Sequence, residues 1–341
     1  MIRTGLIGYG LGGMAFHAPL IHAAPDLELA AIVTSRADAV QERHPQVSVV
    51  PEVATLLADP GIELVTISTP NDTHFPLARA ALAAGKHVVI DKPFATSVAE
   101  AEVLVALAEA QGRVLSVFHN RRWDSDFLTV RKLLDQGALG EITLYEARWD
   151  RFRPALRGNW HEDAGPGGGV LIDLGPHLID QALALFGPPQ SITADIAAQR
   201  EGSQVDDYFE LTLHYGRMRA VLSSASIVPA PRPRFAVHGT KASFVKHGLD
   251  PQEVQLRDGG RADAPGHGVE DPAQHGALIG ADGTRRTVVS ERGDYRRFYA
   301  GIAQAIGEGG VAPVSPADAL AGLRIVELAR QSAREGRSLP F

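Results

Sequence analysis

Cysteine is absent from the 341-residue sequence. That excludes disulfides and any metal site built on thiolates, and it fits a cytoplasmic enzyme. Positive charge is also scarce: 33 Lys and Arg stand against 40 Asp and Glu, a formal net charge of −7, with no long basic run. A nucleic-acid partner is therefore not expected. A long apolar helix is missing too. Thr4–Pro25 carries no Asp, Glu, Lys or Arg and has the length to cross a bilayer. It also holds five glycines, Pro19, Pro25, His17 and His22, and glycine this dense argues against one continuous helix. No targeting segment and no membrane span are expected. Apolar residues make up 45%, enough for sizeable cores, and the length calls for two domains.

The first turn organises the rest. Gly8-Tyr9-Gly10-Leu11-Gly12-Gly13 reads G-x-G-x-x-G, after the strand-length apolar run Ile2–Ile7 and before Met14-Ala15-Phe16, which can open a helix. A dinucleotide-binding turn requires that context. Gly8 permits the tight turn, Gly10 keeps side chains off an approaching pyrophosphate, and Gly13 lets the helix pack close to the strand. Residues 1–120 then alternate strand and helix signals. Strands are expected at 27–34, 47–50, 64–68, 88–90 and 114–118. One helix is capped by Asp72 or Thr73 and stopped by Gly85; another runs from a Ser97 cap to about Ala110. The fold class is α/β, with a parallel, doubly wound sheet. Ligands of such sheets bind beyond the carboxyl ends of the strands. The candidate loops are therefore 8–13, 34–36, 69–74 (with Thr69, Pro70, Asn71 and His74), 91–93 and 119–123.

After residue 120 the pattern changes. Helices are expected at 127–136, after the glycine run at 167, at 294–306 and at 317–334. Strand-like stretches at 142–149, 191–199, 207–215, 218–227, 237–245 and 253–256 indicate a mostly antiparallel sheet. Asp258–Gly283, rich in Gly, Ala, Asp and Pro, reads as a long loop.

Cofactor choice is written at the end of the second strand. An NAD site places Asp or Glu there to hold the ribose hydroxyls. This chain has Thr34-Ser35-Arg36: hydroxyls and a guanidinium, both able to bind a 2′-phosphate. NADP is expected over NAD. The competing reading leaves Arg36 solvated and gives the ribose to Asp38.

Two elements carry chemistry. Asp91-Lys92-Pro93 follows the fifth strand, and an ammonium there can stabilise a developing alkoxide. A cis bond at Pro93 would aim it. The second element is Gly167-Gly168-Gly169-Val170-Leu171-Ile172-Asp173-Leu174-Gly175-Pro176-His177. If helical, Asp173 and His177 share a face, so His177 can take a hydroxyl proton while Asp173 supports the imidazolium. Pro176 allows another arrangement, with the helix starting near it and Asp173 in the preceding turn. The bland alternatives are a surface lysine, a capping aspartate and a packed histidine. Two such ligands without cysteine make only a weak case for a metal, and none is expected.

The glycine turn, Asp91-Lys92-Pro93 and Gly168-Gly169-(x)3-Asp173-(x)3-His177 together resemble the Gfo/Idh/MocA oxidoreductase family, over essentially the whole chain. The sequence is more similar still to the bacterial NADP-dependent scyllo-inositol dehydrogenases of that family. Phe16-His17-Ala18-Pro19-Leu20, Thr34-Ser35-Arg36, His119-Asn120-Arg121-Arg122-Trp123-Asp124, Arg153-Pro154 and Ser226-Ile227-Val228-Pro229-Ala230 carry that likeness. The resemblance implies a Rossmann domain (1–120) and a substrate-binding and oligomerisation domain (121–341) with an open, mostly antiparallel sheet, in a homodimer or dimer-based oligomer. It implies a cytoplasmic enzyme that oxidises a cyclic polyol, scyllo-inositol to scyllo-inosose, and runs in reverse with NADPH. Lys92, Asp173 and His177 would form the catalytic set. Gly8, Gly10, Leu11, Gly12, Gly13, Ser35, Arg36, Thr69, Pro70, Asn71, His74, Asp91 and Lys92 would line the cofactor. Asn120, Arg122, Trp123, Arg153 and Trp160 would meet the substrate or nicotinamide. Asp91 stands where the family usually has Glu, and apolar Leu174 leaves the preferred polyol open. A dehydrogenase of another sugar or polyol, an NAD-dependent glycosidase of the same fold and a silent NADP-sensing protein remain as alternatives.

Overall fold

A computed structural model describes residues 1–158, 162, 164–165, 167–230 and 232–341. The chain divides into two compact units. The first comprises Met1–Asn120, Gln252–His267 and Asp294–Leu320; the second comprises Arg121–Pro251, Gly268–Gly293 and Ala321–Phe341. The expected division into 1–120 and 121–341 followed chain order alone. Two later segments in fact pack with the first unit.

In the first unit β1 (Ile2–Ile7), β2 (Leu27–Val33), β3 (Ser48–Val50), β4 (Leu64–Ile67), β5 (His87–Ile90) and β6 (Leu115–Val117) form a parallel sheet in the order β3-β2-β1-β4-β5-β6. Leu64, Val65, Thr66 and Ile67 are all buried, as expected of strands covered on both faces. The order reverses beside β1, so the crevice for a ligand opens past the carboxyl ends of β1 and β4. A π-helical turn, Gly13–His17, runs into α1 (Ala18–His22). Then follow α2 (Ala37–Arg43), α3 (Val53–Ala58), α4 (His74–Ala83) and α5 (Val98–Ala110). The Ser97 side chain caps α5 by accepting from the Glu100 N–H, as its sequence position predicts.

The second unit carries α6 (Ser125–Asp135), β7 (Ile142–Arg148), α7 (Val170–Phe186), β8 (Ser191–Ala197), β9 (Tyr208–Tyr215), β10 (Met218–Ala225), β11 (Phe235–Gly239), β12 (Ala242–Lys246), β13 (Gly276–Gly280), β14 (Arg285–Val288) and β15 (Leu339–Pro340). Among the described residues the strands make one nine-stranded sheet, β14-β13-β12-β11-β7-β10-β9-β8-β15. Its pairs are antiparallel except β7 with β10. Alternate residues, such as Tyr145 and Ala147, Phe209, Leu211 and Leu213, and Ala220 and Leu222, enter one core with Phe127, Leu171, Leu178, Ile325 and Ala329.

Three sequence expectations fail here for local reasons. The strand read at 237–245 is two, β11 and β12. Thr240 N–H and Lys241 N–H bond the carbonyls of Glu141 and Leu139 and turn the chain between them. Residues 253–256 lie in α8 (Gln252–Arg257), where Gln252 and Leu256 are buried and Val254 faces out. The glycine-rich loop contains β13. A Cβ on Gly276 would fall 2.3 Å from the Phe244 ring, so glycine here admits a strand over an aromatic side chain rather than a bend. The first unit is completed by α8, beside the π turn, and by α9 (Arg296–Glu308), beside α1. A final helix, α10 (Pro316–Glu335), leads to β15. No helix among the described residues is long and apolar enough to cross a membrane.

Candidate active site

The glycine turn meets each requirement set by its sequence. Gly8 has φ +97°, and a Cβ there would lie 2.1 Å from the Ser68 carbonyl oxygen at the end of β4. A Cβ on Gly13 would lie 2.2 Å from the Gly8 carbonyl oxygen. Gly10 is different: a Cβ would meet nothing within 4 Å, so its backbone opens on free space. Two glycines serve close packing and the third leaves an approach to the backbone, which suits a pyrophosphate. Past β2, Ser35 and Arg36 are exposed, and the Arg36 N–H donates to the Thr34 hydroxyl at 3.1 Å. Asp38 is exposed as well, in the first turn of α2.

The loops after β4 and β5 are tied together. His74, expected among the cofactor contacts, is buried. Its Nδ1 lies 2.8 Å from the Pro93 carbonyl oxygen and its Nε2 3.0 Å from that of Thr69. It joins the two loops rather than facing outward. The Thr73 hydroxyl donates to the Pro70 carbonyl and does not cap α4.

Asp91 is the centre of these loops. Its Oδ1 accepts the Lys92 N–H at 2.8 Å; its Oδ2 accepts from Ser68 Oγ at 3.1 Å and His17 Nε2 at 3.2 Å. A Cβ on Gly12 would fall 2.8 Å from the same Oδ2. The Lys92–Pro93 peptide is cis. Burial alone would raise the Asp91 pKa. The hydrogen bond and charge of His17, then the charges of Lys92 and His74, outweigh it and bring the pKa down to about 2.

In the second unit α7 begins before Asp173, not at Pro176. Asp206 sets the start: its Oδ2 accepts the Leu171 N–H at 2.7 Å and its carbonyl accepts the Val170 N–H at 2.9 Å. Gly169, at φ +94°, leaves room for that carboxylate, since a Cβ would lie 2.2 Å from Asp206 Oδ1. Pro176 sits inside the helix, and Asp173 and His177 are one turn apart. Asp173 Oδ2 accepts from Arg151 Nη1 at 3.2 Å, with both side chains partly exposed. The His177 ring lies 6.0 Å from Trp149, tilted by 33°. Arg121 stands 4.5 Å above that indole. A turn later, Gln181 donates to the Arg121 carbonyl and accepts from Arg234.

The expected substrate contacts divide. Asn120 and Trp123 are buried. Arg122 makes a bidentate pair with Asp180, at 2.9 and 2.7 Å, which turns its guanidinium to α7. Arg153 is partly exposed. Burial, then Arg151 and Arg157, lower its pKa, while Asp173 opposes them. Trp160 lies outside the described residues. Sequence reasoning missed Arg151, Trp149 and Asp206 around α7, and His17, Ser68 and Tyr299 around Asp91. Trp149 and Arg151 continue directly from the end of β7, a position that could have marked them; Tyr299 carried no signal at all.

A glycine turn at the switch point of a parallel sheet defines a dinucleotide-binding enzyme. Residues 2–119 match the family model "Oxidoreductase family, NAD-binding Rossmann fold", and residues 131–341 match "Oxidoreductase family, C-terminal alpha/beta domain". The chain belongs to the Gfo/Idh/MocA oxidoreductase family, and its first unit is an NAD(P)-binding Rossmann domain. It is 47% identical to the oxidoreductase YdgJ of Escherichia coli, over 99% of this chain and 98% of that one. It is 42% identical to IolW of Bacillus subtilis, scyllo-inositol 2-dehydrogenase (NADP(+)), over 99% of this chain and 95% of that one. The solved structure of the oxidoreductase yvaA from Bacillus subtilis superposes with a TM-score of 0.97 at 41% identity, covering 100% of this chain and 98% of that one.

Gly8→Ala is expected to destabilise the protein by more than about 2 kcal/mol, because backbone oxygen cannot move aside for the Cβ and φ is positive. Gly10→Ala is expected to melt within a few degrees of wild type yet bind its reduced nicotinamide dinucleotide, NADH or NADPH, at least about ten-fold more weakly. Thermal melts and fluorescence titration of the two variants measure both effects. The depressed Asp91 pKa stabilises the fold at pH values above the unfolded value of 3.8, and this stability is lost as pH falls through about 2. The difference in unfolding free energy between wild type and Asp91→Asn should therefore shrink by about 2 kcal/mol on acidification through that range, measured by urea titration.

Proposed function

We propose that the protein is a cytoplasmic, homodimeric, NADP-dependent dehydrogenase of a cyclic polyol, with scyllo-inositol the first substrate to test. The observation that carries the reaction is the helical turn of α7 that presents Asp173 and His177 on one face. A base needs an oriented imidazole with a carboxylate to support its charge, and that turn supplies both. The substrate class is supported by the 42% identity to IolW, which is named for oxidation of scyllo-inositol with NADP(+). The cofactor is supported by exposed Ser35 and Arg36 at the end of β2, where no carboxylate stands.

In this reading a bound NADP supplies the ring that accepts the hydride leaving the carbinol carbon. The C–H bond breaks, the carbon–oxygen bond becomes a carbonyl, and the hydroxyl proton passes to His177. Lys92 donates a hydrogen bond to the substrate oxygen and stabilises it as negative charge develops. Asp173 stabilises the imidazolium, and Arg151, paired with Asp173, limits how far that carboxylate can turn.

Lys92→Met and His177→Ala are expected to lower kcat for scyllo-inositol oxidation by roughly 10²–10⁴, with the NADPH dissociation constant changed by less than about three-fold. NADPH absorbance over a panel of inositols and aldoses measures this. Near-normal rates in both variants would remove the catalytic assignment, and release of sugar from glycosides without net NADPH formation would favour the glycosidase. Arg36→Ala is expected to weaken NADPH about ten-fold or more and NADH hardly at all. Equal losses for both, by fluorescence titration, would remove the phosphate argument.

A further inference from the structure

Asp91 touches three groups that differ in origin. Lys92 follows it in sequence, Ser68 ends the neighbouring strand, and His17 arrives from the helix after the glycine turn. His17 is fully buried. Its Nε2 faces Asp91 Oδ2 at 3.2 Å and its Nδ1 faces the Tyr299 hydroxyl at 2.6 Å. Tyr299, on α9, is also fully buried, and its hydroxyl lies 3.4 Å from Thr66 Oγ1 on β4. Burial raises the Tyr299 pKa well above 10, so the hydroxyl keeps its proton. A carboxylate only accepts, so the proton between His17 and Asp91 sits on Nε2. The result is a continuous chain, Thr66–Tyr299–His17–Asp91, buried up to the partly exposed Asp91, that ends on the N–H of Lys92.

The backbone is shaped to admit His17 to this chain. Gly13–His17 is π-helical, and the Ala18 N–H reaches back to the Gly13 carbonyl. One extra residue in a helical turn swings the side chains that follow around the axis, and such turns are frequent at functional sites. Here the turn aims the His17 ring inward, against Phe118 at 4.4 Å and beneath the Asp91 carboxylate. Tyr299 belongs to a segment almost 300 residues further along the chain that returns to this unit. None of these three groups is needed to form the sheet, and a buried polar chain is costly unless every member is satisfied.

We propose that His17 is a positioning residue for Lys92: held by Tyr299, it fixes the Asp91 carboxylate, which in turn fixes the backbone from which the Lys92 side chain leaves. The proposal rests on the reading of Lys92 as the group that stabilises the substrate oxygen. His17 and Tyr299 act through Asp91 and touch no substrate atom.

The test is a mutant cycle on the full-length protein, with NADP and scyllo-inositol. Tyr299→Phe removes one oxygen and keeps the ring. His17→Leu removes the donor to Asp91, whereas His17→Gln keeps an N–H in about the same place. Tyr299→Phe and His17→Leu are expected to lower the melting temperature by a few degrees and, at temperatures well below the melt, to lower kcat about ten-fold or more with KM for NADP little changed. His17→Gln should recover most of the loss. On an Asp91→Asn background, Tyr299→Phe should cost nothing further. The free protein supplies a readout that needs no substrate. By carboxyl NMR, the Asp91 titration should rise by about one pH unit or more in His17→Leu, with Lys92 and His74 still facing it.

Active wild type with unchanged kcat in Tyr299→Phe and His17→Leu would overturn the relay alone. So would multiplicative effects of Tyr299→Phe and Asp91→Asn, or losses of kcat that track melting temperature. A wild-type protein that oxidises no polyol would overturn the reading of Lys92, and with it the role given to His17.

Discussion

Backbone contact at the first turn is the constraint on which the first unit depends. Gly8 lies against the Ser68 carbonyl and Gly13 against the Gly8 carbonyl, at distances that leave no space for a Cβ. The contact draws the start of the first helix onto the carboxyl ends of β1 and β4, the two strands on either side of the switch point. It also brings Gly12 against Ser68 and Asp91, so that the phosphate-side turn and the lysine loop share one wall. Asp91 is ionised there because the hydrogen bonds and positive charges that surround it outweigh the cost of burial.

The second unit solves a different problem. Helix α7 carries Asp173, His177, Asp180 and Gln181 on or beside one face, and most of these are buried. A buried carboxylate without a partner costs several kcal/mol, of the order of 3–5 when one member of a pair is removed. Arginines answer that cost: Arg151 pairs with Asp173 and Arg122 with Asp180, while Arg234 donates to Gln181. Two guanidinium groups also lie over the Trp149 indole that packs beside His177. The pairing with Arg151 restricts the Asp173 carboxylate, and the Trp149 indole packs against the His177 ring.

Much of this was legible before any coordinates. The strand periods of the first unit, the glycine spacing and the Ser97 cap all act over a few residues, so local pattern was enough to read them. Places where local pattern pointed the wrong way are equally specific. Residues 253–256 alternate like a strand, but Gln252 and Leu256 are the buried pair, four apart, and the segment is helical. Gly276 belongs to a strand because the Phe244 ring lies beneath it, a fact about a neighbour and not about its own loop. His74 resembled a ligand by its place in a binding loop, and only the positions of two carbonyl oxygens show it to be a tie.

The amino-acid order alone was enough for the class of fold, the dinucleotide turn and the hydroxyl–guanidinium end of β2, which rest on spacing within one element or one loop; Lys92, Asp173 and His177 stood out only through the resemblance of several such stretches together to one family. Where α7 starts was beyond its reach, since Pro176 permitted two answers and the carboxylate that chooses between them, Asp206, is 35 residues beyond the Leu171 N–H that it accepts. So were the partners Arg151, Trp149 and Tyr299. Hydrogen bonds and ion pairs of this kind join groups far apart in the chain, and their strength depends on burial and distance, which exist only once the chain has folded.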